Sequence, residues 1–176
     1  MAFDERQFRD APGMFATGVA VVAAEIEGVR LAATVSSFNA VSLSPPLVLF
    51  SLGRKALSFE QWLKTESFAV MVLDQTQTEL SSRFAKAGTD KWAGLSSNPG
   101  ARTGAPLLSE FIVAFECSVY ARYDGGDHEI IVGQVLDLVV KSPSATPLIF
   151  YRGKYRQLNI EGTEAVMSPD PWLYGW

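Results

Sequence analysis

Residues 32–52 constrain the fold of this chain more than any other stretch. Two apolar segments lie on either side of a hydroxyl-rich turn and a Pro-Pro corner, which predicts two strands joined by that turn. Thr34, Ser36 and Ser37 could donate O–H groups there, and the backbone N–H groups of an irregular turn can form an anion-binding concavity. A solvated serine-rich loop is the alternative, because Ser and Thr favour turns for local reasons.

The remaining segments indicate a mainly antiparallel β protein. The predicted strands are residues 19–25, 29–35, 47–52, 68–73, 111–123, 129–140 and 148–151. Tight turns at Glu27-Gly28 and at residues 124–127 predict two hairpins. Helices do not alternate with every strand, so a closed Greek-key barrel is favoured over a βαβ sheet.

Three short helices are predicted from capping patterns. Asp4 with Gln7 and Asp74 with Gln77 read as capping boxes, and Ser58 precedes an amphipathic segment at residues 59–64. Residues 86–109 are rich in Gly, Ser and Pro and predict a long irregular segment, which is usually functional in a compact domain.

Composition excludes several classes of function. The 176 residues carry a net charge of −4 without a basic run, so nucleic acid is not an expected partner. Neither a secretory leader nor an apolar stretch of membrane-spanning length is present, so no membrane association and a cytoplasmic location are expected. A glycine-rich dinucleotide or Walker motif is also absent from the sequence.

The chain has one cysteine and one histidine, which limits metal and nucleophilic chemistry. A His/Cys metal site within one chain is therefore not expected, and no residue is assigned to a metal. Cys117 alternates with Phe115 and Val119, so a buried structural thiol is favoured over a Cys–His nucleophilic pair. In the same segment Glu116, Ser118 and Arg122 form the polar face of a half-buried strand.

Several motifs occur in one order along residues 8–158. They are Phe-Arg-Asp-Ala-Pro-Gly-Met-Phe-Ala-Thr-Gly-Val from residue 8, Thr-Val-Ser-Ser-Phe from 34, Ser-Leu-Ser-Pro-Pro-Leu from 42, Phe-Ala-Val from 68, Leu-Ser-Ser-Arg-Phe-Ala from 80, Gly-Ala-Pro-Leu-Leu from 104, Gly-Asp-His from 126 and Gly-Gln-Val from 133. This set resembles the short-chain flavin reductase family, the reductase components of two-component flavin-dependent monooxygenases.

The resemblance implies a fold, an activity and partners. The implied fold is a six-stranded antiparallel Greek-key split β-barrel over residues 1–160, followed by a C-terminal tail at 161–176 that the resemblance does not reach. The implied protein is a homodimer with FMN or FAD at the subunit interface, and it reduces that flavin with NADH or NADPH for a partner monooxygenase. Alternatives are a flavin-binding carrier or sensor without turnover, and a reductase of another acceptor such as a corrinoid or a metal complex.

The resemblance also implies site residues. Hydride transfer between two cofactors needs no protein nucleophile, so no catalytic residue is assigned. The residues expected at the flavin are Thr34, Val35, Ser36, Ser37, Ser51, Leu52, Gly53, Lys55, Ala56, Arg83 and Phe84. Lys55 and Arg83 are the candidate phosphate partners, with solvated surface charge as the alternative for each.

Two further positions carry expectations. His128, in the Gly-Asp-His motif, is expected to contact the nicotinamide, with a solvent-facing turn residue as the alternative. Met71 stands where the family usually has Asn, so a thioether replaces an amide and the polar contact of that amide is expected to be lost.

Overall fold

A computed structural model describes residues 3–88 and 90–158 of the chain. The helices are α1 (Glu5–Asp10), α2 (Phe59–Leu63) and α3 (Thr78–Ala85), with a 3₁₀ turn at Pro12–Met14. The strands are β1 (Thr17–Gly18), β2 (Ala20–Ile26), β3 (Val29–Val35), β4 (Asn39–Leu43), β5 (Pro46–Gly53), β6 (Ser67–Val72), β7 (Ser97–Pro99), β8 (Pro106–Leu108), β9 (Val113–Gly125), β10 (His128–Val140), β11 (Ile149–Tyr151) and β12 (Lys154–Arg156). The proposed domain end at residue 160 and the tail at 161–176 lie outside the described residues.

One antiparallel sheet of seven strands organises the described part of the chain. Its order is β3-β2-β6-β9-β10-β5-β4, and two smaller sheets are formed by β1-β11-β12 and β7-β8. The mainly β, antiparallel fold class of the flavin reductase split barrels is confirmed. The main sheet has one strand more than the six expected, because residues 39–43 leave the turn and pair with β5 as an edge strand.

The two predicted hairpins are confirmed. Glu27 and Gly28 have φ of 51° and 78°, the positive pair that a two-residue type I′ turn requires, and Ile26 pairs with Val29. The second hairpin pairs β9 with β10 along their whole length, from His128 opposite Gly125 to Val140 opposite Val113. β10 also pairs with β5, from Gln134 opposite Leu47 to His128 opposite Gly53, and this places the end of β5 beside the turn that carries His128.

One of two hydrophobic clusters packed against the sheet is rich in aromatic rings. The ring of Phe50 packs edge-on against Trp62 at 5.7 Å and against Phe68 at 5.2 Å. Cys117 packs in the same cluster with Phe115 and Val119 and is 0% exposed, so the prediction of a buried structural thiol is confirmed.

Gly133 on β10 shows how tightly this core is packed. A Cβ placed on Gly133 would lie 2.4 Å from Cζ of Phe68 and 2.9 Å from Cβ of Cys117, so only glycine fits at this position.

A second core covers the other side of β2 and β6. Met71, Leu73 and Phe84 are buried there together with Trp92, whose ring lies 4.9 Å from that of Phe84. The residues between α3 and β8 therefore pack onto the sheet. Their prediction as wholly irregular was wrong at residues 97–99 and 106–108, which pair as β7 and β8.

The prediction that β9 is half buried was wrong at Glu116. This side chain is 2% exposed, and its carboxylate accepts hydrogen bonds from the N–H of Arg102 at 2.9 Å and from the N–H and O–H of Thr103 at 2.8 Å each. The loop at residues 100–104 therefore covers the face that the alternation assigned to solvent. Its hydrogen bonds satisfy the buried charge.

The capping predictions have mixed outcomes. Asp4 and Gln7 form the predicted box, with Gln7 N–H to Asp4 Oδ1 at 2.7 Å and Asp4 N–H to Gln7 Oε1 at 3.0 Å. The box predicted at Asp74 forms only in part. The Gln77 side chain accepts from the Asp74 N–H at 2.9 Å, but Asp74 accepts from the Thr76 N–H and α3 begins only at Thr78, so the pair does not cap the helix. Ser58 precedes α2 as predicted but makes no side-chain capping bond.

Candidate functional site

A cleft lies between the end of β3, the end of β5 and the start of β10. It has a volume of ≈ 270 Å³. Eight residues that the sequence placed at the flavin or the nicotinamide line it together with Ala33: Thr34, Val35, Ser36, Ser37, Ser51, Leu52, Gly53 and His128. The structure thus brings two sequence segments and the single histidine to one place.

Hydroxyl groups hold this cleft together. The Oγ of Ser37 accepts a hydrogen bond from the N–H of Ser51 at 2.9 Å and donates to the carbonyl of Ser51 at 3.3 Å. The Oγ1 of Thr34 donates to the carbonyl of Ser81 at 2.6 Å. Both O–H donors are therefore engaged within the protein, and a ligand anion must find its donors elsewhere.

The turn after β3 supplies such donors from its backbone. The N–H groups of Ser36, Ser37 and Phe38 have no acceptor within residues 3–88 and 90–158. Three consecutive free N–H groups are suited to an anion or to carbonyl oxygens. The side chain of Ser36 is exposed beside them.

His128 faces the cleft from the opposite side. It pairs with Gly53 across the β5–β10 ladder, and a Cβ on Gly53 would lie 3.6 Å from its Nε2. Its Nδ1 lies 2.7 Å from Oδ1 of Asp127, and this hydrogen bond and the adjacent imidazole charge lower the pKa of Asp127. With Nδ1 engaged by the carboxylate, Nε2 is the ring atom left to meet a ligand.

A second cavity of ≈ 430 Å³ adjoins the cleft and shares Ala33 and Leu52 with it. Its far wall comes from the segment after α3, where Arg30 from β3 lies 5.4 Å above the ring of Trp92. Lys91 also lines it, with Nζ donating to the carbonyls of Ala32 at 3.0 Å and Phe84 at 2.7 Å, and burial lowers the pKa of this lysine.

Four of the expected flavin residues do not line the first cleft. Ala56 lines the second cavity, and Lys55 is exposed and lines neither. Arg83 lies on the far side of α3, where its Nε donates to the Lys91 carbonyl at 2.8 Å and a terminal nitrogen to that of Ala93. Phe84 is 0% exposed in the second core.

Met71 lies away from both cavities. Its side chain is 0% exposed, and its Sδ accepts a hydrogen bond from the N–H of Leu108 at 3.1 Å. The thioether therefore takes up one polar contact, and the difference from the family pattern falls in the second core.

Sequence reasoning missed the second cavity and Arg54. The cavity depends on residues far apart in sequence, Arg30 and Trp92, which carry no motif. Arg54 follows β5 directly and its side chain reaches the turn before His128, with Nε donating to the carbonyl of Gly126 at 3.0 Å. An arginine after a strand is common, so nothing in the sequence singles it out.

Within residues 3–88 and 90–158, His, Cys, Asp and Glu side chains do not gather in threes around a possible ion position. The helices of the same ranges are too short or too polar to cross a membrane.

The residues present fit a flavin. The backbone N–H groups of Ser36 and Ser37 can meet a phosphate or the polar ring edge, and Val35 and Leu52 offer apolar surface to a ring. Ligand pockets commonly have volumes of about 300–1,000 Å³, so the two adjoining cavities offer space for a cofactor.

Comparisons with known proteins agree with this site. The flavin reductase like domain family matches residues 12–159. The reductase subunit HsaB of a flavin-dependent monooxygenase from Mycobacterium tuberculosis is 35% identical over 96% of this chain and 88% of its own. An NADH-dependent FAD reductase from Streptomyces globisporus is 33% identical over 92% of this chain and 90% of its own.

Solved structures give the same result. The NADH:FAD oxidoreductase SgcE6 of Streptomyces globisporus C-1027, in complex with NAD and FAD fragments, superposes with a TM-score of 0.85 at 32% identity and covers 91% of this chain and 96% of its own. Nitrilotriacetate monooxygenase component B from Mycobacterium thermoresistibile gives 0.87 at 34% identity, over 96% of this chain and 94% of its own. The chain belongs to the flavin reductase like domain family.

Proposed function

We propose that the protein is an NAD(P)H:flavin oxidoreductase that supplies reduced FMN or FAD to a separate monooxygenase. The observation that carries the proposal is the cleft between β3 and β5. It is lined by Ser36 and Ser37, whose backbone N–H groups have no acceptor among the described residues, by the only histidine of the chain, and by the apolar Val35 and Leu52. Relatives of nearly full length that are named as flavin reductases or as reductase subunits support it.

Each side of the cleft has its own task in this proposal. A bound flavin supplies a two-electron acceptor for the hydride of NAD(P)H. The N–H groups of residues 36 and 37 bind its polar groups, Val35 and Leu52 contact its ring, and Ser37 fixes the distance between the two walls through Ser51. For hydride transfer the protein has to hold the two cofactors in the correct relative orientation and to exclude water from between them.

His128 belongs to the nicotinamide side in this proposal. Its Nε2 faces the cleft opposite the turn that would bind flavin, and the carboxylate of Asp127 keeps the ring oriented. The two cofactors are then held by different groups, so each can be weakened separately.

Lys55 is an exposed cation close to the cleft. Lys55 follows β5 by two residues and is near enough to Asp127 for its charge to help lower the pKa of that carboxyl. We assign Lys55 to the flavin phosphate. Arg83 and Phe84 act indirectly, by fixing the segment that carries Lys91 and Trp92.

Two further properties complete the proposal. Exposed apolar side chains on the outer half of β10, Leu136, Leu138 and Val140, support a homodimer in which a second copy covers them. A single buried cysteine is compatible with a reducing cytoplasmic location.

An assay of NADH or NADPH oxidation under air, with and without added FMN or FAD, tests the function. We expect oxidation that depends on the flavin. Flavin binding without oxidation of either nicotinamide would favour a carrier or sensor, and oxidation only with a corrinoid or metal complex would favour another acceptor.

A further inference from the structure

Arg54 connects the end of β5 to the turn that carries His128. Its Nε donates to the Gly126 carbonyl at 3.0 Å, and one terminal nitrogen lies 2.7 Å from Asp124 Oδ1 and 2.8 Å from Glu129 Oε2. The backbone N–H of Arg54 also donates to the carbonyl of Asp127 at 2.9 Å. Arg54 thus contacts four of the five residues around His128, which are residues 124–127 and 129; only Gly125 is not contacted.

The turn needs such a restraint. Gly125 and Gly126 both lie in it, Gly126 with φ of +76°, and glycine restricts the backbone less than any other residue. A planar guanidinium can meet a carbonyl and two carboxylates at once, which a lysine ammonium on a flexible stem does less well.

The contact is better shielded than an ordinary surface ion pair. The side chain of Glu129 is 12% exposed and that of Arg54 36%, whereas Asp124 is 81% exposed. The guanidinium carbon also lies 5.6 Å from the centroid of the Phe59 ring, which limits its movement on one face. Isolated exposed pairs contribute little, but a group with four partners and an aromatic neighbour fixes local geometry.

We propose that Arg54 is a positioning residue for hydride transfer, acting through His128. By fixing residues 124–129 against β5 it sets where the imidazole stands in the cleft and hence how well the nicotinamide donor binds. The inference rests on the proposed assignment of His128 to the nicotinamide side.

Steady-state and binding measurements on Arg54→Met and Arg54→Lys test the inference first. Arg54→Met should raise the KM for NAD(P)H about ten-fold, within the roughly hundred-fold that a misplacement of about 1 Å can cost. Flavin Kd should stay within about two-fold, because Arg54 lines neither cavity. Arg54→Lys should recover part of the loss.

Arg102→Gln is the matched control. This arginine is exposed, and within the described residues only its backbone N–H forms a hydrogen bond, to Glu116. The substitution removes the same charge and should leave both constants unchanged.

The single histidine gives a readout that needs no turnover. Its imidazole C–H resonances can be followed by NMR in the flavin-free protein, because the chain has one His. Arg54→Met should shift or broaden these resonances and Arg102→Gln should not. Unchanged resonances together with an unchanged KM would overturn the inference.

A double-mutant cycle with His128→Ala separates this inference from the proposed function. If Arg54 acts through His128, Arg54→Met has little further effect once the imidazole is gone. The same fold-change in both backgrounds overturns the role of Arg54 alone, and wild-type kinetics in His128→Ala overturn both assignments. If Arg54→Met does not fold, Asp124→Asn and Glu129→Gln replace it, and an unchanged KM in both variants overturns the inference.

Discussion

The hydroxyl of Ser37 forms two hydrogen bonds with the backbone of Ser51, accepting from its N–H at 2.9 Å and donating to its carbonyl at 3.3 Å. These bonds join the turn after β3 to the part of β5 that lines the cleft. The two strands are not neighbours in the main sheet, because β3 lies at one edge and β5 lies next to the other edge. Ser37 therefore shapes the cleft, and any effect it has on flavin follows from that geometry.

Ser37→Ala should lower both the stability of the fold and the affinity for flavin. The N–H of the partly buried Ser51 loses its partner, so the cost should be about 1 kcal/mol, at the low end of the range for an unsatisfied donor. Denaturant unfolding and flavin titration by fluorescence quenching measure the two effects. Ser36→Ala, which removes an exposed hydroxyl from the same turn, should leave the free energy of unfolding unchanged. An equal loss of stability in both variants would contradict this role for Ser37.

Glu116 should make stability depend on pH. Burial raises the pKa of this carboxyl, but hydrogen bonds from the Thr103 side chain and from the backbone of the 101–103 loop outweigh burial and lower the pKa below its ordinary value of 4.5. The stabilisation by Glu116 is therefore complete above that ordinary value and is lost as pH falls through the lower, folded-state pKa.

Glu116→Gln should then cost about 1–3 kcal/mol at neutral pH and progressively less in acid, because the charged acceptor is replaced by a neutral one. Unfolding by denaturant across this pH range measures the difference. Glu60→Gln on the exposed face of α2 is the control for loss of charge. A cost for Glu116→Gln that does not shrink in acid would contradict the assignment.

Cys117 should be inert to thiol reagents in the native protein. Burial, with a smaller contribution from the charge of Glu116, raises the pKa of this thiol to about 12. Labelling needs an opening of the core that costs several kcal/mol, so native protein should react slower than unfolded protein by about three orders of magnitude or more. Because the chain has one cysteine, the rate reports this site alone; rapid labelling without denaturant would show that the core packing is wrong.

Lys55→Ala and His128→Ala should separate the two cofactor sites. A charge-assisted hydrogen bond contributes about 1.5–3 kcal/mol, so Lys55→Ala should weaken flavin binding roughly ten- to a hundred-fold. His128→Ala should leave flavin affinity nearly intact and raise the KM for NAD(P)H. Lys64→Ala, an exposed lysine at the end of α2, is the control. An equal loss of flavin affinity in Lys55→Ala and His128→Ala would contradict the assignment of His128 to the nicotinamide side, and His128 would then be interpreted as a solvent-facing turn residue.

Local patterns predicted the parts of the fold that local forces decide. The Glu27-Gly28 turn fixes its own hairpin, and the alternation around Cys117 placed the thiol in the core. Glu116 escaped prediction because its covering loop lies more than ten residues away in the sequence. Strand β4 escaped because Asn39–Leu43 lies between the hydroxyl-rich turn and the Pro-Pro corner, where the pattern predicts only a connection between two strands. The apolar pattern of a strand cannot reveal which distant segment will cover it.

The same limit applies to the site. The resemblance identified the residues at the ends of β3 and β5 and His128 as site residues. The fold brings these residues into one cleft. It gave no indication that the hydroxyls of Thr34 and Ser37 are engaged within the protein, that Arg83 faces away, or that Arg54 holds the turn. Each of these depends on contacts between residues far apart in the chain.

Anaerobic rapid mixing of the flavin-loaded protein with NADH or NADPH tests the central claim most directly. The account predicts that the visible absorbance of oxidised flavin disappears in a single turnover, at a rate that saturates with the concentration of at least one of the two nicotinamides. Absorbance that persists at every concentration of both nicotinamides would contradict it.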